Sequence, residues 1–290
     1  MLEARPSRFY VLCVYAKRIL RWRKNSSPFL SGDVFADMAD YVYKPPRFRA
    51  FKRQQIPLRT AKVIFCRSEN LQELFTSYFE EINASVVICG NSDFEFHNLP
   101  EMIPASIKAL FLQNSFISDN RFVFTLPIGI ENLRWGVNGN PRLLKRQIAN
   151  PENKILFGPF GKTHPLRTQV IEKFRNPGLF WDCLPSGRIS PREYAKIARR
   201  YKLIAAVRGN GIDTHRHWES IYRGVNPVTL RDKWSESLQA LGIPFLLIDS
   251  WEEASVSNLF SQPNMRTIHP LEIDAIWEPY WRRLIQSFVK

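Results

Sequence analysis

Residues 201–230 read YKLIAAVRGNGIDTHRHWESIYRGVNPVTL. The apolar run 203–207 has the length of a buried strand. Arg208, Gly209, Asn210 and Gly211 then make a tight polar turn, and Asp213 or Thr214 is suited to cap a helix. Trp218, Ile221 and Tyr222 recur at helical spacing, Gly224 stands where a helix ends, and 225–230 reads as the next strand. Strand, glycine turn, helix, strand is the unit from which parallel α/β sheets are built. The start of such a helix offers unpaired N–H groups and partial positive charge, which suits a phosphate. Arg208 and Arg216 flank the turn as candidate partners for a pyrophosphate. Glu219, one turn after Arg216, offers a carboxylate to ribose hydroxyls. The same residues also fit an ordinary α/β turn with a surface ion pair between Arg216 and Glu219.

The rest of the chain repeats the alternation twice. Strands are expected at 63–66, 85–90, 109–112 and 122–130, the last broken by Pro127, with an amphipathic helix over 71–82. Residues 34–41 read as a further helix capped by Asp33, and Glu131 as the end of the 122–130 run. The texture changes over 136–153, with turn signals at both ends. Beyond it come strands at 155–157, 179–183, 203–207 and 245–248, with helices over 166–174 and 233–241. Ser190, Pro191, Arg192 and Glu193 form a capping box for another helix. A final helix over 274–289 carries Trp277, Tyr280, Trp281, Leu284, Ile285 and Phe288 at helical spacing. The expected fold class is α/β: two Rossmann-like βαβ modules facing a central cleft. Residues 1–145 form the first module, opening with a basic segment 1–58. Residues 146–270 form the second, and 271–290 a C-terminal helix. In such sheets ligands gather at the carboxyl ends of the strands.

RGNGIDTHRHWESIYRGVNPV resembles the donor-site segment of exostosin-like glycosyltransferases of GT-B type, whose pattern is roughly R-G-x-G-x-D-T-x-R-x-W-E-x-L-x-x-G-x-x-P-V. Arg208, Gly209, Gly211, Asp213, Thr214, Arg216, Trp218, Glu219, Gly224, Pro227 and Val228 match it. Ile221 stands for the usual Leu, and Asn226 for an apolar residue before the proline. Residues 91–93 (NSD) and 127–132 (PIGIEN) also match segments of related sequences. The resemblance implies that the second module binds a nucleotide-sugar donor, that the last helix crosses back onto the first module, and that the chain transfers a sugar to a glycan or lipid-linked glycan acceptor, as in bacterial-type surface polysaccharide synthesis.

Inverting transfer needs the leaving diphosphate stabilised, the acceptor hydroxyl deprotonated and the sugar held in line. The first task falls to Arg208, Arg216 and the backbone of Gly209, Asn210, Gly211, Asp213 and Thr214, with Lys162 and Arg167 in the GPFGKTHPLR loop as further candidates. That loop does not have Walker spacing and also fits a plain βα connection. For the base, Asp93 follows the strand 85–90 directly, with Glu95 and His97 nearby, and Glu131 is the second candidate. Either carboxylate also fits a local turn role. Asp93-Phe-Glu95 is a poor Asp-x-Asp motif, and His215 and His217 face different sides of a helix. Metal-independent transfer is therefore expected, with no cofactor beyond the nucleotide-sugar substrate.

Composition bounds the partners. A net charge of +14 in 290 residues attracts anions of every kind. A basic amphipathic pattern over 7–24 suits either an anionic membrane surface or core packing with a solvated basic face. The stretch 44–58 is a basic loop. Four cysteines lack metal-ligand spacing. Three sit in apolar runs, so free thiols in a reducing cytoplasmic compartment are expected, with a possible peripheral membrane contact. No run reaches spanning length, and no signal peptide is expected. Two other classes fit the charge. One is a basic nucleic-acid-binding protein, for which no motif is present and whose aromatics would have to leave core spacing, so no nucleic-acid partner is expected. The other is a non-catalytic sugar-binding protein on a transferase fold.

Overall fold

A computed structural model describes residues 25–45, 56–119, 121–136, 139–184, 189–252, 259–262 and 265–289. The expected basic helix over 7–24 and most of the basic loop over 44–58 lie outside the described residues.

Two five-stranded parallel sheets form the molecule. The first runs β1 (Tyr41–Val42), β2 (Val63–Arg67), β3 (Val86–Gly90), β4 (Ala109–Gln113) and β5 (Val123–Leu126), in that spatial order. The segments VIFC, VVICG and ALFL are apolar without alternation because both faces are covered. Helix α2 (Leu71–Tyr78) covers one face through Leu71, Leu74 and Phe75. On the other face lie α1 (Gly32–Ala36), through Val34 and Phe35, and the C-terminal helix α7 (Glu278–Ser287), through Trp281 and Ile285. The last helix thus returns to the first sheet, as expected.

The second sheet contains β6 (Glu152–Phe157), β7 (Trp181–Cys183), β8 (Tyr201–Ala205), β9 (Asn226–Leu230) and β10 (Leu246–Ile248), in the order β7-β6-β8-β9-β10. Helices α3 (Pro165–Phe174), α4 (Pro191–Ala198), α5 (His215–Arg223) and α6 (Lys233–Gln239) connect them. The strand order reverses between β6 and β8. The loops leaving those two strands diverge to opposite sides and open a crevice between them. The first sheet, with strictly sequential order, has no such point. The GT-B-like expectation of two parallel α/β sheets and a returning helix holds.

Three local expectations are corrected. Residues 34–41 do not form one helix: Ser31, not Asp33, caps the single turn α1, and Tyr41–Val42 is an edge strand paired with β2. The turn is short because its residues are buried against the sheet, and β pairing takes the chain directly after it. Glu131 does not end a strand. β5 stops at Leu126 before Pro127, and the chain turns through Gly129 at φ +70° before Glu131. The expected helix over 274–289 begins only at Glu278, after a 3₁₀ turn at Asp274–Ile276. Cys66 and Cys89 are buried free thiols on adjacent strands, and Cys183 is a half-buried one. No helix among the described residues is long and apolar enough to cross a membrane.

Candidate functional site

A cleft of about 680 Å³ opens at the switch point of the second sheet. Its lining comes from the loop after β6 (Pro159 to Thr163), from the glycine turn after β8, from the first turns of α5, and from Asp93, Ile128 and Glu131 of the first module.

Helix α5 begins at His215, with Thr214 as N-cap in extended conformation. The Thr214 N–H donates to Nδ1 of His217 at 3.2 Å. Gly224, at φ +83°, ends the helix in the left-handed conformation expected of it. The turn's two outer glycines permit close approach. A Cβ on Gly209 would meet the Arg167 guanidinium at 2.9 Å, and one on Gly211 would meet Nδ2 of Asn114, from the first module, at 2.7 Å. Gly209 thus admits a cation and Gly211 admits the facing module.

The cations take distinct places. Arg167 donates to the Val207 carbonyl at 3.1 Å and to Thr163 Oγ1 at 2.8 Å, which fixes it beneath the turn. Arg216 donates to the carbonyls of Gly158 and Pro159, each at 3.2 Å, and lies 4.0 Å over the Tyr194 ring. Lys162 is exposed at the cleft wall. Arg208 is not part of the lining. It crosses to the first module and pairs with Glu95 Oε1 at 2.5 Å. Burial, reinforced by the charges of Arg208 and Arg167, holds the His164 imidazole below its ordinary pKa.

The acidic groups divide in the same way. Glu219 lines the cleft, and the buried Arg223 donates to it at 3.3 Å. This i,i+4 pair replaces the Arg216–Glu219 pair that the sequence offered. Asp213 also borders the cleft, but its carboxylate is buried and accepts from Trp218 Nε1 and from the Ile128 N–H of the first module, both at 2.8 Å. Asp213 therefore joins the two modules. Asn210 donates to Asp93 Oδ2 at 3.2 Å across the cleft.

Glu131 sits 3.4 Å from His215 Nε2 and accepts the Asn132 N–H at 2.9 Å. Burial works against the charged imidazole of His215. The Glu131 carboxylate, by charge and hydrogen bond, with help from the Gly129 carbonyl and Glu219, still lifts its pKa to about 9. Burial likewise raises Glu131, but His215, the Asn132 N–H and Arg134 outweigh it and hold the carboxyl below its usual range. Both partners are charged at neutral pH.

A second cavity, of about 500 Å³, lies at the carboxyl ends of β1 to β3. Asp93, Ile128, Glu131 and His215 line both cavities. The two sequence-predicted carboxylates therefore stand in the partition between them. Among the described residues no three His, Cys, Asp or Glu side chains group to hold a metal.

Sequence reasoning missed Tyr194, Arg223 and Asn114, and considered His215 only as a metal ligand. Glu219 followed by Arg223 four residues later was a readable helix pair. Tyr194 reaches the cleft, and the buried Asn114 reaches the Asp213 N–H and Gly211 behind it, only through tertiary packing. No known protein-family model matches the chain, and no curated protein matches it.

Proposed function

We propose that the chain is a nucleotide-sugar-dependent glycosyltransferase. The observation that carries this reading is the pair of cavities sharing one wall of carboxylates, the larger lying at the switch point with Lys162, Arg167, Arg216 and the start of α5 around it. In this reading the donor occupies the larger cavity, with its diphosphate against those cations and its ribose against Glu219. The acceptor oxygen attacks the anomeric carbon, and the bond to the diphosphate breaks with its electron pair going to phosphate oxygen. The hydroxyl proton passes to a carboxylate in the shared wall. Asp93 is the base, because it is exposed there and its partner across the cleft is the neutral Asn210 amide, whereas Glu131 is ion-paired with His215 and accepts the Asn132 N–H. Glu131 and His215 instead fix the charge balance beside the reacting carbon. The test is thermal stabilisation by UDP, GDP or CMP. At about a hundred times the dissociation constant one of them contributes roughly 2.7 kcal/mol, and Glu219→Ala and Arg216→Gln each remove most of that shift. The reading fails if no nucleotide moves the melting temperature of the wild type, and a steep salt-dependent affinity for DNA or RNA would then favour the nucleic-acid alternative.

A further inference from the structure

The second cavity has a chemistry of its own. Its floor is a network of neutral amides. Asn132 donates to Asn91 Oδ1 at 2.8 Å and accepts the Asp33 N–H at 2.7 Å, while the Asn91 N–H donates to Gln113 at 3.1 Å. Gly32 is required beneath it, since a Cβ there would fall 1.8 Å from Asn91 Oδ1. Tyr43, Phe65 and Trp135 supply aromatic walls, and Trp135 is 43% exposed. Lys44, Arg67 and Arg134 come from three separate segments and line this cavity alone, whereas its carboxylates Asp93 and Glu131 lie on the side shared with the donor cleft.

The cations are not equivalent. Arg134 is mostly buried and paired with the buried Asp33. Lys44 and Arg67 are half exposed, and their partners Glu73 and Glu69 line neither cavity. Such exposed pairs contribute little and exchange readily for another anion. Lys44 and Asn91 also adopt positive φ, +46° and +54°. Backbone conformations of this kind carry a cost and gather where a site needs a side chain aimed in one direction. Amide donors and acceptors, a partly exposed tryptophan ring with the Arg134 guanidinium over one part of it, and two exchangeable cations describe a site for a sugar ring that carries negative charge.

We propose that the second cavity is the acceptor subsite and that it selects a saccharide bearing a carboxylate or phosphate. The anion meets Lys44 and Arg67, the ring lies against Trp135, and the hydroxyl to be glycosylated reaches Asp93 at the shared wall. The inference rests on the transferase reading, which supplies the donor on the other side.

The test is equilibrium binding, by calorimetry or ligand-observed NMR, of three short saccharides with the same ring: neutral, uronate and phosphorylated. The wild type, a Lys44→Gln/Arg67→Gln double variant and Lys173→Gln, an exposed cation outside both cavities, are compared after their melting temperatures show all three to be folded. The uronate or the phosphorylated form binds at least about fivefold tighter than the neutral one to the wild type and to Lys173→Gln, and the double variant loses that preference. The tighter of the two arms identifies the anion. Equal affinity for all three saccharides, no binding of any, or a preference that survives in the double variant overturns the proposal. The nucleotide melting assay separates the two ideas: nucleotide stabilisation without anion preference removes only the acceptor assignment. Anion preference without any nucleotide effect removes the transferase and leaves a saccharide site.

Discussion

His215 and Glu131 keep each other charged within the wall that both cavities share. The consequence is a pH dependence whose sign follows from the two shifts. His215 has a folded pKa of about 9 against 6.5 for the free side chain, so its contribution is complete below about pH 6.5 and disappears as pH rises through 9. Glu131 is held below 4.5, so its contribution is complete above that value and is lost as pH falls through the lowered one. The groups facing the pair are the Gly129 carbonyl, the Asn132 N–H, Arg134 and Glu219. The melting-temperature gap between wild type and His215→Gln is therefore widest near pH 5.5 to 6.5 and narrows steadily toward pH 9.5. Scanning calorimetry at three pH values reads this directly. A gap that stays constant across the range would mean that His215 acts only by packing.

At the scale of elements, the positions that fix the cleft are tight turns where no side chain fits. Gly129 combines φ +70° with a hypothetical Cβ 2.1 Å from the Leu30 carbonyl oxygen, and its own carbonyl lies 2.9 Å from His215 Nδ1. Gly242 has a similar φ of +84° with nothing within 4 Å of a Cβ. Gly242→Ala carries only the conformational cost, about 1–2 kcal/mol. Gly129→Ala adds a backbone clash that cannot be relieved by a side-chain rotation, so its loss exceeds that of Gly242→Ala by about 1–3 kcal/mol. Urea unfolding of both variants gives the difference, and equal losses would show the Leu30 contact to be soft. This scale also separates what could be read in advance from what could not. The glycine turn, a helix cap at Asp213 or Thr214, and Gly224 were legible because each obeys a local rule. The apolar strand runs were legible because both sheet faces are buried. Arg208 was legible as a cation but not as a partner of Glu95, 113 residues away, because that pairing exists only once the modules meet. Asp213 was legible as a motif residue, but its bond to the Ile128 N–H was hidden for the same reason. The placement of Glu131 was obscured by Pro127 and Gly129, which bend the chain away from the strand the apolar run suggested.

For the whole molecule the question is whether the two sheets behave as one cooperative unit. They are joined by more than the cleft rim. The Tyr222 hydroxyl, on α5 of the second sheet, accepts the Leu30 N–H at 3.0 Å and donates to the Ile276 carbonyl just before α7. Its ring packs edge-on to Phe29 and against Trp277, while Asn114 and Ile128 bond to Asp213 nearby. These groups are buried, so a missing partner exposes nothing to water and leaves a polar group unsatisfied. Tyr222→Phe keeps the ring packing but strands the buried Leu30 N–H and the Ile276 carbonyl, at a cost of about 1–3 kcal/mol for each group left without a partner. The loss falls on the junction and leaves both sheets intact. Wild-type unfolding is thus expected as one transition, and Tyr222→Phe as a less stable protein whose calorimetric enthalpy exceeds its van't Hoff enthalpy. Trp281→Ala is the contrast. It removes a fully buried ring between α7 and the first sheet and costs about 3–5 kcal/mol, but it leaves the Tyr222 junction in place, so the protein still unfolds in one transition at a lower midpoint. If Tyr222→Phe melts in a single two-state transition with a loss below about 0.5 kcal/mol, the modules are coupled instead through the cleft rim, through Arg208–Glu95 and Asn210–Asp93.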